Sequence, residues 1–397
     1  MHQLIKYIKK IIDNLIGLHR VREFRATFLR LINGNYKRIY SNYKHKKIYL
    51  DGRHIWCGYY DLQIFNEERG LLIATMSDLD YTNYKLALIN IKDQSIKMEI
   101  PNIYASKQMG CRAFWLDSDR FVYNGQFNGE PCSVLYDLQK KSARRFGTHF
   151  YDGNNDLYVS LDFKKLETNR PGYGFFAPQK NVFEGDLVLR KWSYYDSLDK
   201  NALNLNYDDI PGYGVEGFYL NHLKISPSGR WLLVFALNSK SQPHTSIAVI
   251  FDLHSGNSEV LTKIDCRASH YCWSPDDDLW LTYFKNSEVA YAKFSFTGDI
   301  WEEKQCIWMT EDGHPSCYGS NELLTDTYSD KHGYQTVYIL NSTKKIQHIA
   351  KVRSKFPKTS DTRCDLHPRL LVKDLICIDS DLGKKSRCIL LFEVDPK

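Results

Sequence analysis

The chain has 397 residues, of which 43% are hydrophobic and 14% aromatic, and this composition excludes a disordered or collagen-like protein. The net charge of +6 comes from one end, since residues 1–50 carry 12 of the 53 Lys and Arg residues but only two acidic ones, Asp13 and Glu23. A protein that reads nucleic acid is expected to spread its basic residues over the folded face, so we expect no nucleic-acid partner.

The ten cysteines are scattered along the chain without a Cys-x-x-Cys pair. This pattern argues against a zinc knuckle or a disulfide-built small domain and favours a reducing compartment. The N-terminus lacks the apolar run and the cleavage site of a signal peptide, and no stretch is apolar over the roughly 20 residues needed to cross a bilayer. We therefore expect a cytoplasmic protein, and a peripheral one at the inner membrane if its N-terminal segment binds lipid.

Residues 1–45 form the first predicted unit, a basic amphipathic leader with one or two helices. Apolar residues follow helical spacing over 4–18 and again over 24–32, with Lys and Arg between them, and Gly17 separates the two stretches. Two interpretations are open. The leader is either a helix that caps the main domain or pairs with a partner, or a segment that lies on an anionic membrane surface.

From residue 46 to 397 the pattern changes to short β-branched and aromatic runs between Gly, Asn, Asp and Ser turns, which is typical of an all-β fold. Four segments align with one another, and their first residues are 44 to 53 residues apart; they begin HLKISPSG, HYCWSPDD, HPSCYGSN and HPRLLVKD. A period of this length indicates the four-stranded blades of a β-propeller. We predict about seven blades, with six or eight as alternatives.

The earlier units are more diverged. One has Arg112 where the later units have histidine, another has Asp61 near that register, and a third is expected between residues 148 and 200. The segment KKIYL at 46–50 is predicted to close the ring by pairing with the last blade, which would cover an exposed sheet edge.

The aligned segments open with His222, His270, His314 and His367. Equivalent positions of successive blades surround one axis, so these imidazoles should converge. One interpretation is that each histidine serves the hydrogen bonds of its own blade. The other is a divalent metal site, or a ring of bases and substrate clamps, since several facing imidazoles suit a divalent cation.

Charged residues accompany the histidines. Asp312 and Asp365 are candidate ligands, or acceptors that fix an imidazole tautomer. Arg112 and Arg363 are candidates for gripping a carboxylate, sulfate or phosphate, and the alternative for each is a salt bridge to a neighbouring aspartate.

Two aromatic clusters are candidate substrate contacts. RPGYG contains Arg170 and Tyr173 and predicts either a loop that stacks on a sugar or an ordinary turn. GYYD is another such cluster, with Tyr59, Tyr60 and Asp61. No Walker loop, dinucleotide fingerprint, HExxH or GxSxG motif is present, so nucleotide-dependent and serine-hydrolase mechanisms have no support.

With these motifs in view, the chain resembles the oligogalacturonate lyase family and its bacterial propeller relatives over about residues 54–395. The motifs that carry the resemblance are GYYD at 58–61, CRAFW at 111–115, RPGYG at 170–174, NHLKISPSG at 221–229, SHYCW at 269–273, GHPS at 313–316, LTDTY at 324–328 and RCDLHPR at 363–369. The resemblance implies a seven-bladed propeller whose axial pocket holds a manganese-like divalent ion on histidines and a glutamine. It also implies β-elimination from an acidic sugar, in which a histidine removes the C5 proton.

By order along the chain, the resemblance matches His222 to the base and His270 to the first metal ligand. One motif departs from the family, whose lyases carry Gln-x-x-His-x-His where this chain has Asp365-Leu-His367, with His314 as the candidate for the missing imidazole. The predicted metal ligands are His270, His314, Asp365 and His367, the predicted catalytic residues are His222, Arg363 and Arg112, and the predicted substrate contacts are Tyr60, Asp61, Arg170 and Tyr173.

The predicted function is therefore a carbohydrate-active protein with a metal-assisted site for an acidic, uronate-type sugar. It would act as a polysaccharide lyase or in building a surface polysaccharide, with an acidic oligosaccharide or polysaccharide as its partner. The alternative is a noncatalytic propeller that binds a glycan or a protein.

Overall fold

A computed structural model describes the chain over 38–127, 130–146, 149–177, 187–191, 210–241, 245–262, 266–286, 288–319, 321–344, 346–354, 361–383 and 386–394. The predicted leader helices fall on residues 1–37, outside the described residues, as does their predicted membrane contact. Within the described ranges, no helix is long and apolar enough to cross a membrane.

The described residues contain one helix, α1 (Phe163–Asn169), and 29 strands. The strands are β1 (Ile39–Tyr40), β2 (Lys44–Ile48), β3 (Arg53–Trp56), β4 (Phe65–Asn66), β5 (Leu71–Asp78), β6 (Lys85–Asn90), β7 (Ile96–Pro101), β8 (Phe114–Trp115), β9 (Arg120–Phe127), β10 (Glu130–Asp137), β11 (Ser142–Phe146), β12 (Asp152–Gly153), β13 (Leu157–Leu161), β14 (Leu187–Lys191), β15 (Phe218–Ile225), β16 (Trp231–Asn238), β17 (Thr245–Asp252), β18 (Ser258–Val260), β19 (Arg267–Trp273), β20 (Leu279–Lys285), β21 (Glu288–Phe296), β22 (Trp301–Met309), β23 (Ser316–Gly319), β24 (Glu322–Asp326), β25 (Tyr334–Asn341), β26 (Ile346–Arg353), β27 (Arg369–Val372), β28 (Leu375–Ser380) and β29 (Cys388–Glu393).

These strands form seven antiparallel sheets in chain order: β3–β7, β8–β11, β12–β14, β15–β18, β19–β22, β23–β26 with β1, and β27–β29 with β2. The all-β propeller is confirmed. Six sheets have four or five strands and are complete blades, one fewer than the seven predicted, whereas β12–β14 has three described strands. Residues 178–186 and 192–209 on either side of β14 lie outside the described part of the chain.

The first described strands close the ring. β2 pairs with β29, with Lys44 opposite Glu393 and Ile48 opposite Ile389, so this segment pairs with the last blade as predicted, two residues earlier than expected. β1 pairs with β26 in the preceding sheet, which the sequence did not indicate. Both pairings cover strand edges that would otherwise expose unpaired backbone groups.

The core lies between neighbouring sheets. The middle strand β16 is buried along Trp231–Ala236, because each blade packs against a neighbour on both faces and both faces must therefore be apolar. The outer strand β7 instead alternates half-buried and exposed residues, as expected for a strand with one face in solvent. The innermost strands surround the axis and position the site.

Candidate functional site

Four histidines from four successive sheets converge near the axis. The ring centroid of His314 lies 4.4 Å from that of His270 and 4.5 Å from that of His367, and the His222 and His270 centroids are 6.3 Å apart. All four side chains are buried, with at most 7% exposed. The convergence expected from the repeat is confirmed.

Local backbone irregularities aim these side chains at the axis. His222 lies in β15 where the pairing with β16 shifts register between Asn221 and Lys224, and His270 lies at a register shift between β19 and β20. His222 and His367 also have positive φ angles of 54° and 47°. A bulge redirects a side chain out of the regular pleat, and a non-glycine residue keeps a positive φ only where the surrounding structure enforces it.

Asp326 anchors two of the four histidines. Its Oδ1 lies 2.8 Å from both the backbone N–H and Nδ1 of His314, and its Oδ2 accepts the backbone N–H of His367 at 3.2 Å. Burial favours a low pKa for His314, but the charge and hydrogen bonds of Asp326 outweigh burial and raise that pKa to about 9. Because a carboxylate only accepts, Nδ1 donates to Asp326 and Nε2 is left for the site.

Asp312 serves His270 in a similar way. Its Oδ1 lies 3.1 Å from His270 Nδ1, and its Oδ2 accepts the hydroxyl of Ser269 at 2.5 Å. Of the two roles predicted for Asp312, ligand or tautomer-fixing acceptor, the structure shows the acceptor. Burial lowers the pKa of His270 in spite of this carboxylate, so the imidazole favours its neutral form.

Three buried nitrogens of the cluster have no hydrogen-bond partner among the described residues: His222 Nδ1, His314 Nε2 and His367 Nε2. A buried polar atom without a partner costs about 1–3 kcal/mol, so three in one cluster fit a site that binds a polar group or an ion. Ligand atoms of His314, Asp365 and His367 lie within 4.8 Å of one another. Two imidazoles and a carboxylate at this spacing are donors suited to a divalent cation.

Arg363 joins this donor group to the RPGYG loop. Its Nε donates to Asp365 Oδ2 at 2.8 Å and its Nη2 donates to Tyr173 Oη at 3.0 Å. The salt-bridge alternative is therefore observed for Arg363, and its partner Asp365 belongs to the candidate metal-binding group. Arg170 is exposed, with its guanidinium 5.0 Å from the Tyr173 ring centroid. Burial favours a high pKa for the Tyr173 phenol, but the charges of the two arginines lower it.

Arg112 and Asp61 form a buried ion pair with one another. The guanidinium donates to the two carboxylate oxygens at 3.2 and 2.9 Å, and both side chains are only 2% exposed. Asp61 also accepts the hydroxyl of Tyr271 at 2.9 Å. For Arg112 the structure again shows the salt-bridge alternative. Within the described residues, neither Arg112 nor Asp61 makes a side-chain hydrogen bond to one of the four histidines.

The GYYD motif contributes its other tyrosine to the cluster. The Tyr59 ring stacks on His222 at 5.2 Å and lies 4.9 Å from the His367 ring. The Tyr60 ring lies 5.8 Å from that of His314, but its hydroxyl donates to the backbone oxygen of Tyr271 and accepts the Tyr271 N–H. The sequence indicated both tyrosines as a cluster, and Tyr60 was predicted as the substrate contact, because a doublet of identical residues does not show which one faces the axis.

Two cavities among the described residues are lined by residues of the inner strands. One of about 350 Å³ is lined by Arg170, Tyr173, His222 and His270, among others. The other, of about 460 Å³, is lined by different residues, including Asp61 and the 271–273 end of β19. In β19, residues 267–270 line the smaller cavity and residues 271–273 line the larger one. The two cavities therefore lie towards opposite ends of the inner strands.

No protein-family model and no curated protein matches the chain. Two solved structures with a similar fold are oligogalacturonate lyases. One, from Vibrio parahaemolyticus, has a TM-score of 0.59 and 12% identity, covering 90% of this chain and 96% of that chain. The other, in complex with manganese, has a TM-score of 0.59 and 11% identity, covering 91% of this chain and 95% of that chain. The shared fold is a β-propeller. At this identity the likeness shows the fold alone.

Proposed function

We propose that this protein is a carbohydrate-active propeller that binds an acidic, uronate-type sugar beside a divalent metal ion and acts on it as a lyase. The observation that carries the proposal is the group formed by His314, Asp365 and His367, in which the Nε2 atoms of both histidines have no hydrogen-bond partner among the described residues. Two oligogalacturonate lyases of similar fold, one of them bound to manganese, support it.

His314 and His367, each through Nε2, and Asp365 through a carboxylate oxygen would hold the ion, which would displace the proton that His314 Nε2 carries in the metal-free protein. His270 lines the adjacent cavity and touches His314, so it stays our candidate for a fourth ligand. A manganese-like ion bound there would neutralise the sugar carboxylate and so acidify the neighbouring C–H bond. Arg363 keeps Asp365 oriented through the hydrogen bond from its Nε.

His222 has the properties of a general base. Burial lowers its pKa well below the ordinary value, and the neighbouring His270 adds to that effect, so the imidazole is neutral. Its Nδ1 has no hydrogen-bond partner in the part of the chain that the structure describes, and its side chain lines the cavity of about 350 Å³. A neutral imidazole accepts a proton only at the nitrogen that carries no hydrogen, so Nδ1 could take the C5 proton only in the tautomer with hydrogen on Nε2, which requires the Asn221 amide, 3.4 Å from Nε2, to turn its oxygen towards the ring.

The substrate carboxylate and the sugar ring have further partners on the chain. Arg363 and Arg170 place two positive charges around Tyr173, and Arg170 and Tyr173 both line the cavity that contains His222. Arginine forms paired hydrogen bonds with carboxylates, and aromatic rings stack on the apolar faces of sugars. These residues would orient the sugar above the base.

The test is an assay for unsaturated uronates by their absorbance, using a panel of uronate oligosaccharides with added Mn²⁺. We expect absorbance with at least one substrate, a loss of both metal and activity in His367→Ala, and a loss of activity of about 100-fold or more with the metal retained in His222→Ala. The exposed His254→Ala is the matched control and should keep both. Protein that contains no metal and gives no absorbance with any acidic glycan would contradict the proposal.

A second candidate is a noncatalytic propeller that binds a glycan or a protein. The observation in its favour is that carboxylates already occupy one nitrogen each of His270 and His314, as expected of histidines with a structural role. Binding of an acidic glycan by metal-free protein, without a change in absorbance, would support it.

We also propose that the protein is cytoplasmic and lies at the inner membrane through residues 1–45, whose basic residues support contact with anionic lipid. Cosedimentation with vesicles that contain anionic lipid, compared with neutral vesicles, tests this placement. Equal binding to both would contradict it.

A further inference from the structure

We propose that Cys272 and Cys317 form a thiol–disulfide exchange site, at which a small disulfide of the glutathione class oxidises the pair to a disulfide bond. Their Sγ atoms lie 3.4 Å apart, although the residues belong to β19 and β23 in different sheets. A disulfide bond is about 2 Å long, so a movement of little more than 1 Å would join them.

Access to a reagent favours this pair. Both cysteines line the cavity of about 460 Å³, and Cys317 is only half-buried, with its thiol donating to the backbone oxygen of Trp273 at 3.2 Å. Thiol–disulfide exchange requires a thiolate to reach the sulfur of the incoming disulfide. Cys317 is therefore the attacking thiol and Cys272, 9% exposed, is the thiol that resolves the intermediate.

A second close pair provides a comparison within the same molecule. The Sγ atoms of Cys57 and Cys377 lie 3.7 Å apart, but their side chains are 7% and 0% exposed and neither residue lines the described cavities. The two pairs therefore have similar sulfur spacing and different access. If spacing alone decided oxidation, both pairs would react; if access decides, only the pair at the cavity reacts.

The exchange balances in two steps. The Cys317 thiolate attacks one sulfur of glutathione disulfide and releases one glutathione, leaving a mixed disulfide. The Cys272 thiolate then attacks the Cys317 sulfur and releases the second glutathione. Two protein thiols and one glutathione disulfide become one protein disulfide and two glutathione thiols, which take up the two protons that the cysteines lose.

The bond would join two strands that position the histidine cluster. β19 contains His270, two residues before Cys272, and β23 begins two residues after His314. Oxidation would therefore tie together the inner strands of two neighbouring blades. This inference does not depend on the proposed lyase activity, since its test measures only a covalent bond.

The experiment treats the full chain with glutathione disulfide, blocks the remaining thiols and maps cross-links by mass spectrometry after trypsin digestion. Cleavage places Cys272 in peptide 268–285 and Cys317 in peptide 305–331, which also contains Cys306. We expect a cross-link between these two peptides that disappears on reduction with dithiothreitol. Cys317→Ser should abolish it, and the matched control Cys306→Ser should leave it unchanged.

The buried pair provides the quantitative comparison. We expect the Cys272–Cys317 cross-link in at least tenfold excess over a Cys57–Cys377 cross-link in the unmutated protein, where folding of a variant is not in question. Absence of the first cross-link, or equal yields of the two, would overturn the proposal. Survival of the peptide cross-link in Cys317→Ser would overturn it as well, because Cys306 would then be the reacting thiol.

Discussion

Replacing Asp326 by asparagine tests how the histidine cluster is held. In the metal-free protein, Asp326 raises the pKa of His314 to about 9 against an ordinary value of 6.5. A shift of this size corresponds to about 3 kcal/mol of stability. Because the folded-state pKa is raised, this contribution is fully present below pH 6.5 and is lost as the pH rises through 9. Asparagine removes the charge, so in the variant burial, which lowers the pKa of His314, is opposed only by the smaller effects of Asp365 and Tyr173.

The assay is urea unfolding of wild type and Asp326→Asn, both treated with a chelator, at about pH 6 and about pH 10. We expect the variant to be less stable at both values, because it also loses hydrogen bonds to the backbone of His314 and His367. The deficit should be larger at about pH 6 by about 3 kcal/mol. Titrating groups that do not interact with Asp326 cancel in the difference between the two proteins. An equal deficit at both pH values would refute the charge coupling between Asp326 and His314.

Three further substitutions test the packing around the site, each by urea unfolding. Tyr60→Phe removes the two hydrogen bonds between the hydroxyl and the backbone of Tyr271 and should lower the free energy of unfolding by about 2 kcal/mol. The exposed Tyr49→Phe should lower it by less than about 0.5 kcal/mol, and equal losses would contradict a stabilising role for these hydrogen bonds. Gly313→Ala places a Cβ against the backbone oxygen of Asp326 and should lower the free energy of unfolding by about 3 kcal/mol or prevent folding. Gly319→Ala, where the nearest atom is 3.6 Å from the added Cβ, should be tolerated. A tolerated Gly313→Ala would show that the backbone at residue 313 can move away from Asp326. Arg112→Met leaves its carboxylate partner buried without a cation and should cost about 3–5 kcal/mol, and a cost under about 1 kcal/mol would argue against the buried ion pair.

The repeat in the sequence was sufficient to predict the β-propeller and the meeting of the four histidines. Both follow from one physical fact: blades built from similar segments place equivalent residues around a common axis. The same logic predicted that residues near 46–50 pair with the last blade, and β2 does so. The complete blades number six in the described residues, because β12–β14 has three described strands and lies in the most diverged part of the repeat.

The roles of individual charged and aromatic residues were decided by the tertiary structure. Arg112 and Arg363 each had two candidate roles in the sequence, and both are paired with an aspartate in the folded protein. Asp326 anchors the cluster from β24, and although it lies in the LTDTY motif at 324–328, the sequence assigned it no role in the site. Its importance depends on hydrogen bonds to two segments 12 and 41 residues away, which a local pattern does not encode.

The sequence by itself determined the class of fold and the residue type at the axis, because periodicity in the chain becomes rotational repetition in space. Only the tertiary structure decided which side chains face one another across that axis. Tyr59 rather than Tyr60 stacks on His222. The histidine whose ligand atom lies within 4.8 Å of those of Asp365 and His367 is His314 rather than His270. Register shifts next to His222 and His270, and positive φ angles at His222 and His367, likewise turn single side chains without changing the repeat.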